Sequence, residues 1–388
     1  MDDIPPDIQH AALLDGAFYA ERLEYFRKKS EELDAQSDIF LFTGHGYSIK
    51  VSHDALSLQQ GSTRGEVAEP TLLYRGVHNI RLIVLLSTSG SISVAALRWC
   101  KSQGISILMI DELGDLLYSL FPESSSSVRL RRLQYQAADK SGIIARELIR
   151  RKTVAQIDML RTLPERERVG KTITELVGKR MVLKDGLGRM LISSTWKLLE
   201  DGLAELSHMS KIGTIQALEG RLATLYWNAF IGLPIKWSPK DEKIIAPHWK
   251  EVMERGSSLS SGNVGRRVTN PFHAALNYMY AVTEHQILGS IHVNGLDPAC
   301  GFLHADSDSR LSLVFDLIEP LRGVVDGRVF SFFKRETFSR GDFSTATDGR
   351  VMFNPKLLRY LVASCKLDDS ISGGIVSWFK EYLLEVMQ

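Results

Sequence analysis

The chain has 388 residues, 44% hydrophobic and 24% charged, an ordinary globular composition with length enough for two domains. Its 47 basic and 46 acidic residues leave a net charge of +1, so whole-chain electrostatics give no sign of nucleic-acid binding and only a local patch could. Cys100, Cys300 and Cys365 have no CxxC spacing, which argues against structural zinc and fits a reducing cytosol. The acidic start MDDIPPDIQHAALLDG lacks the apolar core of a signal peptide, and no apolar run reaches the ~18 residues of a membrane span. A cytoplasmic protein without a membrane segment is expected.

Residues 1–36 are expected to form a charged helical extension that packs through Phe18, Tyr19, Leu23 and Phe26, with partner binding as the alternative. From 37 to 121 the pattern is β-rich. IFLFTG, YSIKVS, LSLQQ, TLLYRG, IRLIVLLST and ISILMID are short runs with β-branched residues, VAALRWCKSQ is one helix, and LLYSLF is a last strand. PESSSS at 122–127 reads as a linker. The rest, 128–388, is mainly helical. One long apolar and basic pattern starts at Val128, broken near Lys140–Gly142. Later helices are predicted over roughly 165–200, 202–229, 271–288, 308–321 and 354–364, with no internal repeat. The Gly/Ser-rich stretch 254–270, ending in Arg266 and Arg267, reads as a connector or as a loop ordered by binding.

Chemistry concentrates in GFLHADSDSRLSLVFDLIEPLRG, residues 301–323. Asp316 and Glu319 stand three apart, on one face of a helix with strongly apolar flanks. Two part-buried carboxylates repel each other unless a cation or proton intervenes. A divalent cation would remove that cost; so would an ion pair from Arg322 to Glu319. His304 lies just upstream, and Asp306 and Asp308 fit caps. In ALEGRLATLYWNAFIGLP, Glu219 sits beside the buried stripe of Leu218, Leu222, Leu225 and Tyr226, where an ordinary surface glutamate is the plain alternative. Oxygen and imidazole ligands without thiolate suit Mg²⁺ or Mn²⁺, ions that serve phosphoryl transfer. The substrate side is basic. Arg129, Arg131, Arg132, Lys140, Arg146, Arg150, Arg151 and Lys152 face only Asp139 and Glu147, a local excess of +6 that reads as a phosphate-tracking surface or as a solvated helix face.

These blocks resemble the integrase/endonuclease family of CRISPR adaptation, the subunit that inserts new spacers. The resemblance runs from about Asp38 to about Gly349. It is carried by IRLIVLLSTSGSISVAALRWCKSQGISILMIDELGDLLYSL, RLRRLQYQAADKSGIIARELIRRKTVAQ, EGRLATLYWNAF, NPFHAALNYMYAV and GLDPACGFLHADSDSRLSLVFDLIEPLR. It implies an α+β chain, with an N-terminal sandwich-like domain and a larger all-α catalytic domain. It also implies a homodimer, DNA as substrate and, in some settings, a small ferredoxin-like partner protein. By resemblance, Glu219, His304, Asp316 and Glu319 are the catalytic metal ligands for Mg²⁺ or Mn²⁺, with His304 as ligand or proton shuttle. The implied reaction is strand transfer, a DNA 3′-hydroxyl attacking a target phosphodiester. Arg129, Arg131, Arg132, Arg150, Arg151, Arg221, Arg310 and Arg322 are the expected DNA contacts, and Asn277, Tyr278 and Tyr280 line the matching helix or simply pack. The segment after about Val351 lies beyond the family pattern and suits casposon integrases or stand-alone homologues. A non-catalytic DNA-binding scaffold and a hydrolase of small phosphorylated molecules are the readings from other classes.

Overall fold

A computed structural model of the chain describes residues 38–42, 46–61, 69–86, 89–111, 116–122, 127–164, 191–254, 268–304 and 310–388, together with the backbone of 173–177 and 180–184. The extension 1–36, most of the 122–127 linker, Arg266, Arg267, Asp306 and Asp308 lie outside these residues.

The strand-rich region holds two four-stranded sheets. The first runs β1 (Ile39–Phe42), β5 (Leu82–Leu85), β7 (Ser106–Ile110) and β8 (Leu116–Leu120), with β8 antiparallel and the others parallel. The second runs β4 (Thr71–Leu73), β3 (Ala55–Gln59), β2 (Tyr47–Ser52) and β6 (Gly90–Ile92). The sequence reading missed β6, whose Gly-Ser-Ile has no β-branched run; it pairs in parallel with β2. Alternation along β5 explains the layering. Ile83 and Leu85 face a core shared with Ile49, Leu56, Leu58 and Trp99, the last from helix α1 (Val94–Ser102). Leu82 and Val84 face a second, larger core formed with the helical region. The first sheet is therefore covered on both faces, which is why its strands read as continuous apolar runs.

The helical region opens with α2 (Val128–Gln136), a 3₁₀ turn (Ala137–Lys140) and α3 (Ser141–Thr162). The break expected near Lys140–Gly142 is present, and a side chain at Gly142 would collide with the Ser210 carbonyl. The helix expected over 165–200 does not form as such. Residues Ile173–Val177 (β9) and Arg180–Lys184 (β10) pair as an antiparallel hairpin, and α4 starts only at Ile192 and ends at Leu206. β-Branched residues (Ile173, Thr174, Val177 and Val182) on both sides of a Gly-Lys pair are a hairpin signal, which the long helical patterns on either side mask. The expected 202–229 helix is likewise split between α4 and α5 (Ile212–Asn228).

Helix α6 (Pro271–Asn294) is the spine of the larger core. Asn270 caps it, its side chain accepting from Phe272 N at 3.1 Å; Pro271 occupies the first turn; Gly295 ends it at φ 76°. Its apolar residues are buried on every side except at Val293 in the last turn, as in an internal helix. Then come α7 (Ser312–Ile318), a 3₁₀ turn (Glu319–Leu321), α8 (Arg322–Arg335), the strand pair β11 (Phe343–Thr345) and β12 (Val351–Phe353), α9 (Pro355–Cys365) and α10 (Asp369–Val386). Helix α10 contains Gly373 and Gly374, poor helix formers; burial of Ile375, Val376, Phe379 and Leu383 outweighs them. No helix among the described residues is long and apolar enough to cross a membrane. All three cysteines are free and buried.

Candidate active site

Four elements converge near the start of α8. Helix α3 brings Lys152, α5 brings Glu219, and the 3₁₀ turn brings Glu319 one step ahead of Arg322. The Lys152 ammonium contacts Glu219 Oε1 and lies 2.6 Å from Glu319 Oε2. Arg322 Nε donates to Glu319 Oε1 at 2.9 Å. Lys152 and Glu319 are both buried, their side chains only 8% and 6% exposed. Burial alone would raise the Glu319 pKa, but Arg322 and Lys152 outweigh it and hold the carboxyl at about 2. For Lys152, burial works against the charge and Glu319 and Glu219 restore it, so its pKa stands above the ordinary value. The Arg322 guanidinium lies 4.6 Å from the Tyr280 ring centroid, and the Tyr280 hydroxyl, like that of Tyr226 at 2.7 Å, donates to buried Asp326.

Asp316 is organised differently. It is fully buried, and its carboxylate accepts four bonds from one short segment: Oδ2 from Phe302 N (2.6 Å) and Leu303 N (3.0 Å), Oδ1 from His304 N (3.0 Å) and His304 Nδ1 (2.7 Å). A carboxylate only accepts, so Nδ1 carries a proton, and in the neutral ring Nε2 is then the nitrogen with the lone pair. The segment is held elsewhere too. Gln216, one turn before Glu219, donates to Leu303 O at 2.7 Å, and Phe302 packs on Phe379 of α10 with centroids 5.7 Å apart. A Cβ at Gly301 would lie 2.6 Å from Ser312 Cβ. Upstream, buried Gln134 bonds Asp297 O, Cys300 O and Asp297 N, all at 2.9 Å.

The expected acid pair is thus two arrangements. Asp316 lies in α7, Glu319 begins the next turn, and their carboxylates take different partners. The repulsion anticipated between them is relieved by Lys152, Arg322 and backbone N–H groups. The Arg322–Glu319 ion pair, one of the two sequence alternatives, is present. Glu219 and Glu319 meet around Lys152 and His304 meets Asp316, while among the described residues no three His, Cys, Asp or Glu side chains form one ready cluster. The donors nonetheless suit a hard divalent ion. They are oxygen and imidazole, and buried Glu319 Oε2 faces the Lys152 ammonium at 2.6 Å, a position a cation already fills. By charge Lys152 belongs to the basic tract; its different place is marked by its buried helix neighbours Ile149, Thr153, Gln156 and Ile157.

The basic tract divides by role. Arg129 and Arg132 are exposed on α2 and Arg131 is partly covered. Arg150 and Arg151 share Glu147, at 2.7 and 2.8 Å, and Arg151 also stacks on Trp378 at 3.7 Å. Arg146 donates to Met209 O at 3.2 Å. Arg221 pairs with Glu205, and Arg310 lies 5.4 Å from the Phe315 ring centroid. Tyr278 packs edge-on against Phe353.

The comparisons agree with this architecture. The chain is 29% identical over 275 residues to "CRISPR-associated protein Cas1 3" of Methanobrevibacter ruminantium, covering 68% of this chain and 71% of that one. It is 26% identical over 300 residues to "CRISPR-associated endonuclease Cas1 2" of Rhodospirillum rubrum, covering 74% and 78%. Its fold matches a casposase bound to integration product with a TM-score of 0.68, 23% identity and 90% of each chain covered. A family model described as "CRISPR associated protein Cas1" matches residues 40–366, which takes in the strand-rich region, Lys152, Glu219, His304 and Glu319 alike, and the chain belongs to that family.

Proposed function

We propose that the chain is a divalent-metal-dependent DNA integrase/endonuclease that joins DNA 3′-hydroxyl ends to target DNA, as in CRISPR spacer acquisition. The observation that carries this reading is the meeting of Glu219, partly buried, and Glu319, buried, from separate elements around a single cationic point. Glu219, Glu319 and His304 Nε2 are the proposed ligands for Mg²⁺ or Mn²⁺. When bound, the ion would activate a hydroxyl nucleophile and neutralise charge on the transferring phosphoryl group. Asp316 is the positioning residue of this set: its four bonds fix the backbone of 302–304 and orient the His304 ring with Nδ1 toward the carboxylate. Arg322 holds Glu319 charged, leaving phosphate contacts to more exposed groups.

Arg129 and Arg132, on the exposed face of α2, are the proposed DNA contacts of the basic tract, with Arg131, Arg221 and Arg310 as further proposed contacts. Arg150 and Arg151 are already neutralised in part by Glu147. Work as a homodimer, a cytoplasmic setting and, in a CRISPR context, assembly with the small ferredoxin-like adaptation protein belong to the same proposal. A casposon or stand-alone role would be recognised by the genes flanking it. The test is to incubate the protein with Mn²⁺ or Mg²⁺, a short duplex with free 3′-hydroxyls and a supercoiled plasmid. Joined products are expected from the wild type and none from Glu219→Ala; unchanged joining by the variant would overturn the catalytic reading.

A further inference from the structure

Lys152 is the least expected member of the site. A lysine is rarely buried without paired charges, and Lys152 spends its ammonium on two carboxylates at once. Glu319 has Arg322 as a second counter-charge. The helix that carries Lys152 cannot drift away: a Cβ on Gly323 would lie 2.5 Å from Ala155 C, so the start of α8 presses directly on the α3 backbone one turn beyond Lys152. The long side chain can swing, but its root is fixed against the turn that holds Glu319.

We propose that Lys152 is the resident counter-cation of the Glu219–Glu319 pair, and that it and a divalent cation compete for the same two carboxylates, so that Lys152 sets the affinity for metal. The proposal rests on the metal-dependent reading above. Without Lys152, holding the partly buried Glu219 carboxylate beside buried Glu319 is unfavourable. With both Lys152 and a dication present, like charges crowd one small space, and binding must displace the ammonium or work against it. Lys152 thus makes the metal-free chain stable at the expense of tight binding. The effect favours reversible loading, in which metal joins when bound phosphates add negative charge.

The experiment compares wild type, Lys152→Met and Lys152→Arg in full-length protein. Free Mn²⁺ is titrated by electron paramagnetic resonance, and melting is followed with and without Mn²⁺. Lys152→Met should melt several degrees lower than wild type without metal. It should bind Mn²⁺ roughly tenfold or more tightly, with a larger Mn²⁺-induced rise in melting temperature. Lys152→Arg, which keeps the charge, should fold without metal and bind Mn²⁺ within a few-fold of wild type. A Lys152→Met chain that folds only when Mn²⁺ is present is the same result in stronger form. Equal or weaker Mn²⁺ binding by Lys152→Met, or failure to fold at saturating Mn²⁺ while Lys152→Arg folds, overturns the competition. If neither wild type nor Lys152→Met binds Mn²⁺, with or without DNA, it is the metal-dependent reading that fails.

Discussion

Replacing Asp316 by asparagine would separate positioning from ligation. The carboxylate receives four bonds from Phe302, Leu303 and His304. Asparagine keeps one oxygen and turns the other into an NH₂ donor. Turned so that the oxygen serves Phe302 N and Leu303 N, the amide meets the His304 backbone N–H and Nδ1. Nδ1 must then accept, the ring proton moves to Nε2, and the His304 N–H loses its partner. The opposite orientation strands two backbone N–H groups and costs more. One stranded buried donor is worth about 1–3 kcal/mol, and losing the charge on the remaining acceptor adds about 1 kcal/mol, so Asp316→Asn should destabilise the metal-free chain by about 2–4 kcal/mol. A proton on Nε2 should also weaken Mn²⁺ binding by roughly 10- to 100-fold, the usual cost of losing a partner behind a ligand. Urea unfolding gives the first quantity and Mn²⁺ titration the second. A variant within about 0.5 kcal/mol of wild type, or one that binds Mn²⁺ unchanged, would refute the reasoning.

Three further outcomes follow from the same geometry. Glu319 titrates at about 2 when folded, below the ~4.3 of an unfolded glutamate. Its contribution, on the order of 3 kcal/mol, is therefore complete above about pH 5 and vanishes as pH falls through 4 toward 2. Urea unfolding of wild type and Glu319→Gln across that range should give curves that converge at the acid end. In Gly323→Ala the new Cβ would meet Ala155 backbone atoms at 2.5 and 2.6 Å, which cannot yield as a side chain would; α3 and α8 must part, costing more than about 2 kcal/mol in denaturant unfolding. Gln134→Ala removes three bonds to Asp297 and Cys300. It should cost about 2–4 kcal/mol and speed amide hydrogen exchange over residues 296–304 more than in α6.

The strands and most helices were legible because their apolar periodicity is strong and their breaks carry Gly, Ser or Asn. What escaped had weak local signals that tertiary packing overruled. β6 is three residues of a sheet edge, and α10 holds a glycine pair that propensity alone would not place in a helix. The hairpin at 173–184 had its signal, but helices on both sides masked it. Within the site, Glu219, His304 and Glu319 stood out as residue types. Sequence spacing, however, put Asp316 and Glu319 on one face as equivalents, and only the folded chain separates them, because Pro320 follows Glu319 in a 3₁₀ turn. Lys152 could not be told from its basic neighbours by charge, and the buried stripe of α3 was its only local mark.

The double-covered sheet has a consequence for synthesis. Ile39, Leu41, Leu82, Val84, Leu108 and Ile110 belong to the larger core, which on this side is closed by α6 and α9: His285 bonds Ser119, and Arg359 donates to Leu41 O at 3.0 Å. The strands are complete by Leu120, but α6 starts only at Pro271. With about 150 residues still to be made, at about 5–20 residues per second, a nascent chain would present that apolar sheet face for roughly 10–30 s. The strand-rich region is accordingly a poor candidate for excision, and ribosome-bound chains stalled before Pro271 should be the ones that recruit a chaperone.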